Sequence, residues 1–101
     1  MTSLLQLTPE EIEAVRTILR HCLPDGVAVR AFGSRATGKA KPWSDLDLSF
    51  EAKEALPLSV MALLREAFDE SALPWKVDLV DYRTVSTEFA AIIDRDGLAV
   101  L

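Results

Sequence analysis

The chain has 101 residues, half of them hydrophobic and 27% charged, which excludes disorder as the main state and predicts one domain over 1–101. Sixteen acids oppose eleven bases, and a net charge of -5 speaks against a general nucleic-acid binder. So short a chain buries only about two-thirds of its unfolded surface, so it builds one small core and leaves no room for a separate acceptor domain.

The first predicted element is a helix. Thr8-Pro9-Glu10-Glu11 offers a capping hydroxyl, a proline at the first helical position and a glutamate three residues after the cap. Ile12, Val15, Leu19 and Leu23 follow as one apolar stripe, and Pro24-Asp25-Gly26 ends it. Residues 27–32 are β-branched and apolar and read as a strand. Residues 33–44 form a loop with one short helical turn after Gly33. Residues 46–51 alternate cleanly: Leu46, Leu48 and Phe50 face one way, and Asp45, Asp47 and Ser49 the other, so that both carboxylates project together. A second helix over 58–71 turns Val60, Leu64, Ala67 and Phe68 inward. A third strand over 75–80 sets Asp78 opposite Val77 and Leu79. A closing helix over 86–94 is expected to bury Phe89, Ile92 and Ile93, with Gly97 at its C-terminal cap. The order is α-β-(turn)-β-α-β-α, an α/β fold with helices on a small mixed sheet. The short loop pairs the first two strands antiparallel, and the intervening helix lets the second and third run parallel.

This topology brings Asp78 close to Asp45 and Asp47. Taken alone, Asp-Leu-Asp also describes an ordinary strand with one wet face. Three carboxylates in one small area, however, need compensation, and hard divalent cations supply it. Mg²⁺ favours carboxylate oxygens together with substrate phosphates, and a pair of such ions suits in-line displacement at phosphorus. The loop before the acids points the same way. Gly33-Ser34 follows a strand, where a glycine lets backbone N–H groups approach an anion and a serine adds a donor. Arg35, Lys39 and Lys41 then give residues 33–41 three bases and no acid.

Gly33-Ser34-Arg35-Ala36-Thr37-Gly38, five residues, then Ser44-Asp45-Leu46-Asp47-Leu48 resembles the signature of the minimal nucleotidyltransferases of the DNA polymerase beta superfamily. Val77-Asp78-Leu79-Val80 is similar to the family's third-carboxylate strand, and residues 92–101 are similar to its tail. Thr37 departs from the pattern, standing where the family commonly has arginine. A threonine makes no charged or bidentate phosphate contact, which leaves Arg35, Lys39 or Lys41 to substitute. The resemblance implies that Gly33 and Ser34 hold the β- and γ-phosphates of ATP or another nucleoside triphosphate, with Arg35, Lys39, Lys41 and Ser44 alongside. It implies two Mg²⁺ ions on Asp45, Asp47 and Asp78, and transfer of a nucleoside monophosphate, AMP above all, to an acceptor hydroxyl. The acceptor surface would come from a separate small helical protein, either a substrate-binding subunit or a HEPN-type toxin whose tyrosine hydroxyl is the acceptor. The alternative is an antitoxin or scaffold module that binds such a partner with weak or no catalysis. Modification of a small antibiotic is disfavoured, because the acceptor domain is missing.

The remaining residues have plainer expected roles. Cys22, the lone cysteine, excludes an internal disulfide, and the lone histidine, His21, excludes a histidine-rich metal site. Residues 1–7 lack the basic and long apolar regions of a secretory signal. The longest apolar run, 56–64, falls far short of the roughly 18–20 residues that span a bilayer, so a cytoplasmic location is expected. Arg30 falls opposite Val27 and Val29, as a counter-charge to the acids or at an exposed edge. Trp43 either packs or covers a base or partner surface, and Trp75 packs at the start of the third strand. Asp81 and Asp96 are expected to be solvated.

Overall fold

Helix α1 spans Pro9–Cys22 in a computed structural model that describes residues 4–101, so the first three residues of the 1–7 stretch lie outside it. Its start is the expected capping box: Thr8 Oγ1 accepts the Glu11 N–H at 3.1 Å, and the Glu11 carboxylate accepts the Thr8 N–H at 2.9 Å. Val15 and Leu19 are fully buried. Strand β1 (Ala28–Phe32) runs to Gly33, a 3₁₀ turn covers Ser34–Ala36, and strand β2 spans Leu46–Glu51. Helix α2 (Leu58–Asp69) is the crossover to strand β3 (Val77–Asp81), and helix α3 (Thr87–Asp96) follows with Ser86 as its cap.

β1 and β2 pair antiparallel and β2 and β3 pair parallel, as the loop lengths predict. A fourth strand, β4 (Leu98–Ala99), adds antiparallel to β1 and completes the order β3-β2-β1-β4. Two residues are too few to show a period, which is why the sequence does not announce it. The core lies on one face of the sheet, where Val29, Ala31, Leu46, Leu48 and Phe50 meet Val15 and Leu19 of α1 and Leu64 and Phe68 of α2. The opposite face carries Arg30, Phe32, Asp47, Ser49 and Asp78 and is partly covered by α3.

Two expectations are corrected here. Phe89 and Ile92 were expected inside, but they remain 36% and 41% exposed, and only Ile93 of the three is buried. α3 sits on the polar face, so only a narrow stripe of it finds apolar surface to cover. Asp81 was expected in solvent, but it is 7% exposed. Its carboxylate accepts the Leu56 N–H at 2.7 Å and the Arg83 N–H at 2.9 Å, joining the crossover to the end of β3.

Candidate active site

Register places the site. Phe32 of β1 lies opposite Asp47 of β2, and Asp47 lies opposite Asp78 of β3, so three side chains form a row across the sheet on its non-core face. Strand alternation fixes the direction of each, since the buried leucines on either side of Asp47 send its carboxylate to the other face. Gly33 follows Phe32 with φ +75°, a region that favours glycine. A β-carbon there would collide with Asp47 Oδ2 and lie 3.3 Å from its carboxyl carbon. The glycine therefore lets the backbone lie flat against the carboxylate.

The Asp47 carboxyl is pushed up to about 6, first by burial, then by the charges of Asp78 and Asp45 and by a hydrogen bond with Asp78. The three acids are thus within electrostatic reach of one another. They are not a closed cage: among the described residues no three acidic, histidine or cysteine side chains converge as a ready metal site. The arrangement is two plus one, with Asp47 and Asp78 together and exposed Asp45 at the flank. Such an open set suits Mg²⁺, which takes one or two carboxylates and leaves other positions to water and phosphate. Lys76 reaches Asp78 at 3.7 Å from solvent.

A cavity of about 660 Å³ opens beside Asp47 and Asp78 along the free edge of β3, walled by Phe32, Phe89, Arg65 and Lys76. The rings of Phe32 and Phe89 meet edge to face with centroids 5.6 Å apart. None of these four was expected at the site from the sequence, Phe89 having been expected in the core. Lys76 was legible, two residues before Asp78 and just ahead of β3. Arg65 and Phe89 reach the cavity only through helix packing, which no local pattern encodes.

The loop residues divide. The Ser34 hydroxyl has no partner among the described residues, and the Lys39 and Lys41 side chains are exposed. Arg35, expected among the phosphate-facing bases, is 5% exposed and turned inward. Its guanidinium donates to the carbonyls of Gln6 (2.8 Å), Ser44 (3.0 Å), Pro42 (3.3 Å) and Lys41 (3.4 Å) and lies 4.6 Å from the Trp75 ring centroid. Ser44 closes the same loop, accepting the Lys41 N–H at 2.8 Å. Thr37 donates to the Gly33 carbonyl at 3.1 Å and faces solvent. Trp43 is 73% exposed, and buried Trp75 packs as expected. Arg30 shares the acid-bearing face but pairs with Asp94 at 3.1 Å and Glu51 at 3.3 Å. Asp96, expected in solvent, is largely covered and hydrogen bonded by Arg95 at 2.9 Å, which holds its carboxyl below the usual range.

The fold and this row of acids define a nucleotidyltransferase-type layer, and comparison with known proteins gives the same answer. The nucleotidyltransferase domain model matches residues 12–98, and the chain belongs to that family. It is 50% identical to a probable protein adenylyltransferase MntA of Haemophilus influenzae over 94% of this chain and 84% of that protein. It is 32% identical to the protein adenylyltransferase MntA of Thermococcus cleftensis, over 93% of this chain and 97% of the other. Among solved structures it resembles a toxin–antitoxin crystal structure with AMP-PNP, at 28% identity and a TM-score of 0.75, covering 89% of this chain and 72% of that one. Among the described residues no helix is long and apolar enough to cross a membrane.

Proposed function

We propose that this chain transfers AMP from ATP, with Mg²⁺, to a hydroxyl on a separate helical partner of the HEPN type. The observation that carries the reading is the Asp47–Asp78 pair set against the Gly33 backbone, with the Asp47 carboxyl pushed up by burial and by its acidic neighbours. The relatives named as protein adenylyltransferases and the toxin–antitoxin structure with AMP-PNP support the nucleotide and the partner class.

In this reading Asp45, Asp47 and Asp78 are the metal ligands. Bound Mg²⁺ would neutralise charge on the triphosphate and on the acceptor oxygen. Gly33 and Ser34 hold the β- and γ-phosphates through backbone N–H groups and the free hydroxyl, and Lys39 and Lys41 supply positive charge from the loop's outer side. Asp78, at the cavity mouth, receives the proton of the acceptor hydroxyl. The acceptor oxygen forms a bond to the α-phosphorus, the bond from that phosphorus to the bridging oxygen breaks, and pyrophosphate leaves. Positioning and charge neutralisation do most of this work. Arg35 and Ser44 support the loop in place of touching phosphate. We assign the whole chain to one nucleotidyltransferase domain acting in the cytoplasm. Cys22 is free and burial pushes its thiol up, which suits a reducing compartment.

The test incubates the chain with α-labelled ATP, Mg²⁺ and its helical partner. Label is expected on the partner, and Asp47→Asn is expected to cut transfer by roughly a thousandfold while leaving association intact. Tight association without label in the wild type would favour the binding-only antitoxin, the reading to which the uncharged Thr37 lends support.

A further inference from the structure

A loop that receives a polyanion has two jobs: it must present N–H and cationic groups, and it must keep its own carbonyl oxygens away. In residues 33–44 the Gly33 and Ser34 carbonyls are taken by the Thr37 hydroxyl and by N–H groups of the loop, and on the returning limb the second job falls mainly to one side chain. The Arg35 guanidinium takes the carbonyls of Lys41, Pro42 and Ser44 from the returning limb and that of Gln6 from the segment before α1. The Arg35 carbonyl in turn accepts the Gln6 N–H at 2.8 Å, and the Gln6 side chain accepts the Ala40 N–H at 2.9 Å. The guanidinium lies over the Trp75 ring, which adds a cation–π contact to its hydrogen bonds. Oxygens that would repel phosphate are drawn under the loop, and the Lys39 and Lys41 side chains are left exposed.

We propose that Arg35 is a positioning residue that makes the 33–44 loop receptive to a triphosphate by sequestering its carbonyl oxygens. The inference rests on the nucleotidyl-transfer reading above and extends it to a buried residue that does not contact the nucleotide. Arginine suits the task because its planar fork serves several acceptors at once, which the point charge of a lysine cannot do in a fixed geometry. Loss of the side chain would leave the Pro42 and Ser44 carbonyls without their donor and the Lys41 carbonyl with the Ser44 N–H alone, free to turn outward toward the anion.

The experiment measures equilibrium binding of ATP with Mg²⁺ by calorimetry, and thermal unfolding on the same samples. It uses the wild type, Arg35→Met, Arg35→Lys and Val15→Ala. Val15 is a fully buried core residue of α1 that makes none of the loop's hydrogen bonds, so its alanine variant reports a loss of stability alone. At a temperature where all are folded, Arg35→Met is expected to weaken ATP binding by about tenfold or more, with Arg35→Lys between it and the wild type. Val15→Ala is expected to bind within about twofold of the wild type. Arg35→Met binding ATP as tightly as the wild type, or Val15→Ala losing as much affinity as Arg35→Met, would overturn the proposal. If Arg35→Met does not fold, Arg35→Lys decides: weaker binding than Val15→Ala at equal stability supports the proposal, and unchanged binding overturns it. Failure of the wild type to bind ATP would instead reject the nucleotidyl-transfer reading, and this inference with it.

Discussion

Asp47 is the side chain on which site and stability pull in opposite directions. Its carboxyl titrates near 6 in the folded chain, against an ordinary value of 3.8. Between those values the folded state keeps a proton that the unfolded state has released, so stability falls as pH rises through the window and the loss is complete above about 6. A shift of this size in a fully buried group amounts to about 3 kcal/mol, and half-exposure reduces it to about 1 kcal/mol. Asp47→Asn is therefore expected to be the more stable protein at pH 7, with the difference vanishing toward pH 4. Denaturant unfolding across that pH range measures it, and an asparagine variant less stable than the wild type at pH 7 would contradict the cause given for the shift. Asp-Leu-Asp was readable in the sequence as a candidate site. The approach of Asp78 followed from the predicted parallel crossover, and the strands pair so that Asp47 lies directly opposite Asp78, while the exact register depends on packing between distant segments.

At the scale of elements, the ends show most clearly what local sequence can specify. α1 begins where Thr8 and Glu11 can satisfy each other's backbone donors, a short-range bargain visible in four letters. β3 ends differently. Asp81 lies on the core-facing side of the strand, opposite Phe50, and its charge is held there by N–H groups from 56 and 83. No pattern in the sequence separates it from a solvated acid, since its partners come from a distant turn and from the residue two after it. Asp81→Ala is expected to cost about 2–3 kcal/mol, because it strips a charged acceptor from the Leu56 and Arg83 N–H groups. Chemical denaturation checks this, and a loss below about 0.5 kcal/mol would mean the carboxylate is not holding the crossover. α3 carries the complementary lesson. Its apolar positions predicted burial, yet Phe89 was used to wall the cavity and Ile92 was left outside.

At the scale of the molecule, the radius of gyration is 12.8 Å, near the roughly 13 Å expected of a domain this long. The acids sit on the sheet face that α1 and α2 leave free, so the core and the charge cluster do not compete for the same space. Metal and nucleotide binding should then stabilise the whole fold. A ligand present at about a hundredfold above its dissociation constant adds about 2.7 kcal/mol, and for a domain of this size each kcal/mol raises the melting temperature by roughly 4–8 °C. ATP with Mg²⁺ is expected to raise the melting temperature of the wild type by on the order of 10 °C and to leave Asp47→Asn nearly unchanged. A shift of equal size in both proteins would place the binding elsewhere.

The sequence by itself determined α1, the direction in which each residue of β2 points, the parallel crossover through α2, and the family signature running from Gly33 to Asp47. These rest on caps, periods and loop lengths, which act between near neighbours. Only the tertiary structure decided the register that sets Asp47 against Asp78 and leaves Asp45 at the flank, that Arg35 turns inward to hold the loop, and that Phe89 walls the cavity. Those outcomes depend on register and packing between distant segments, where the free energy belongs to the assembled layers and to no single stretch of chain.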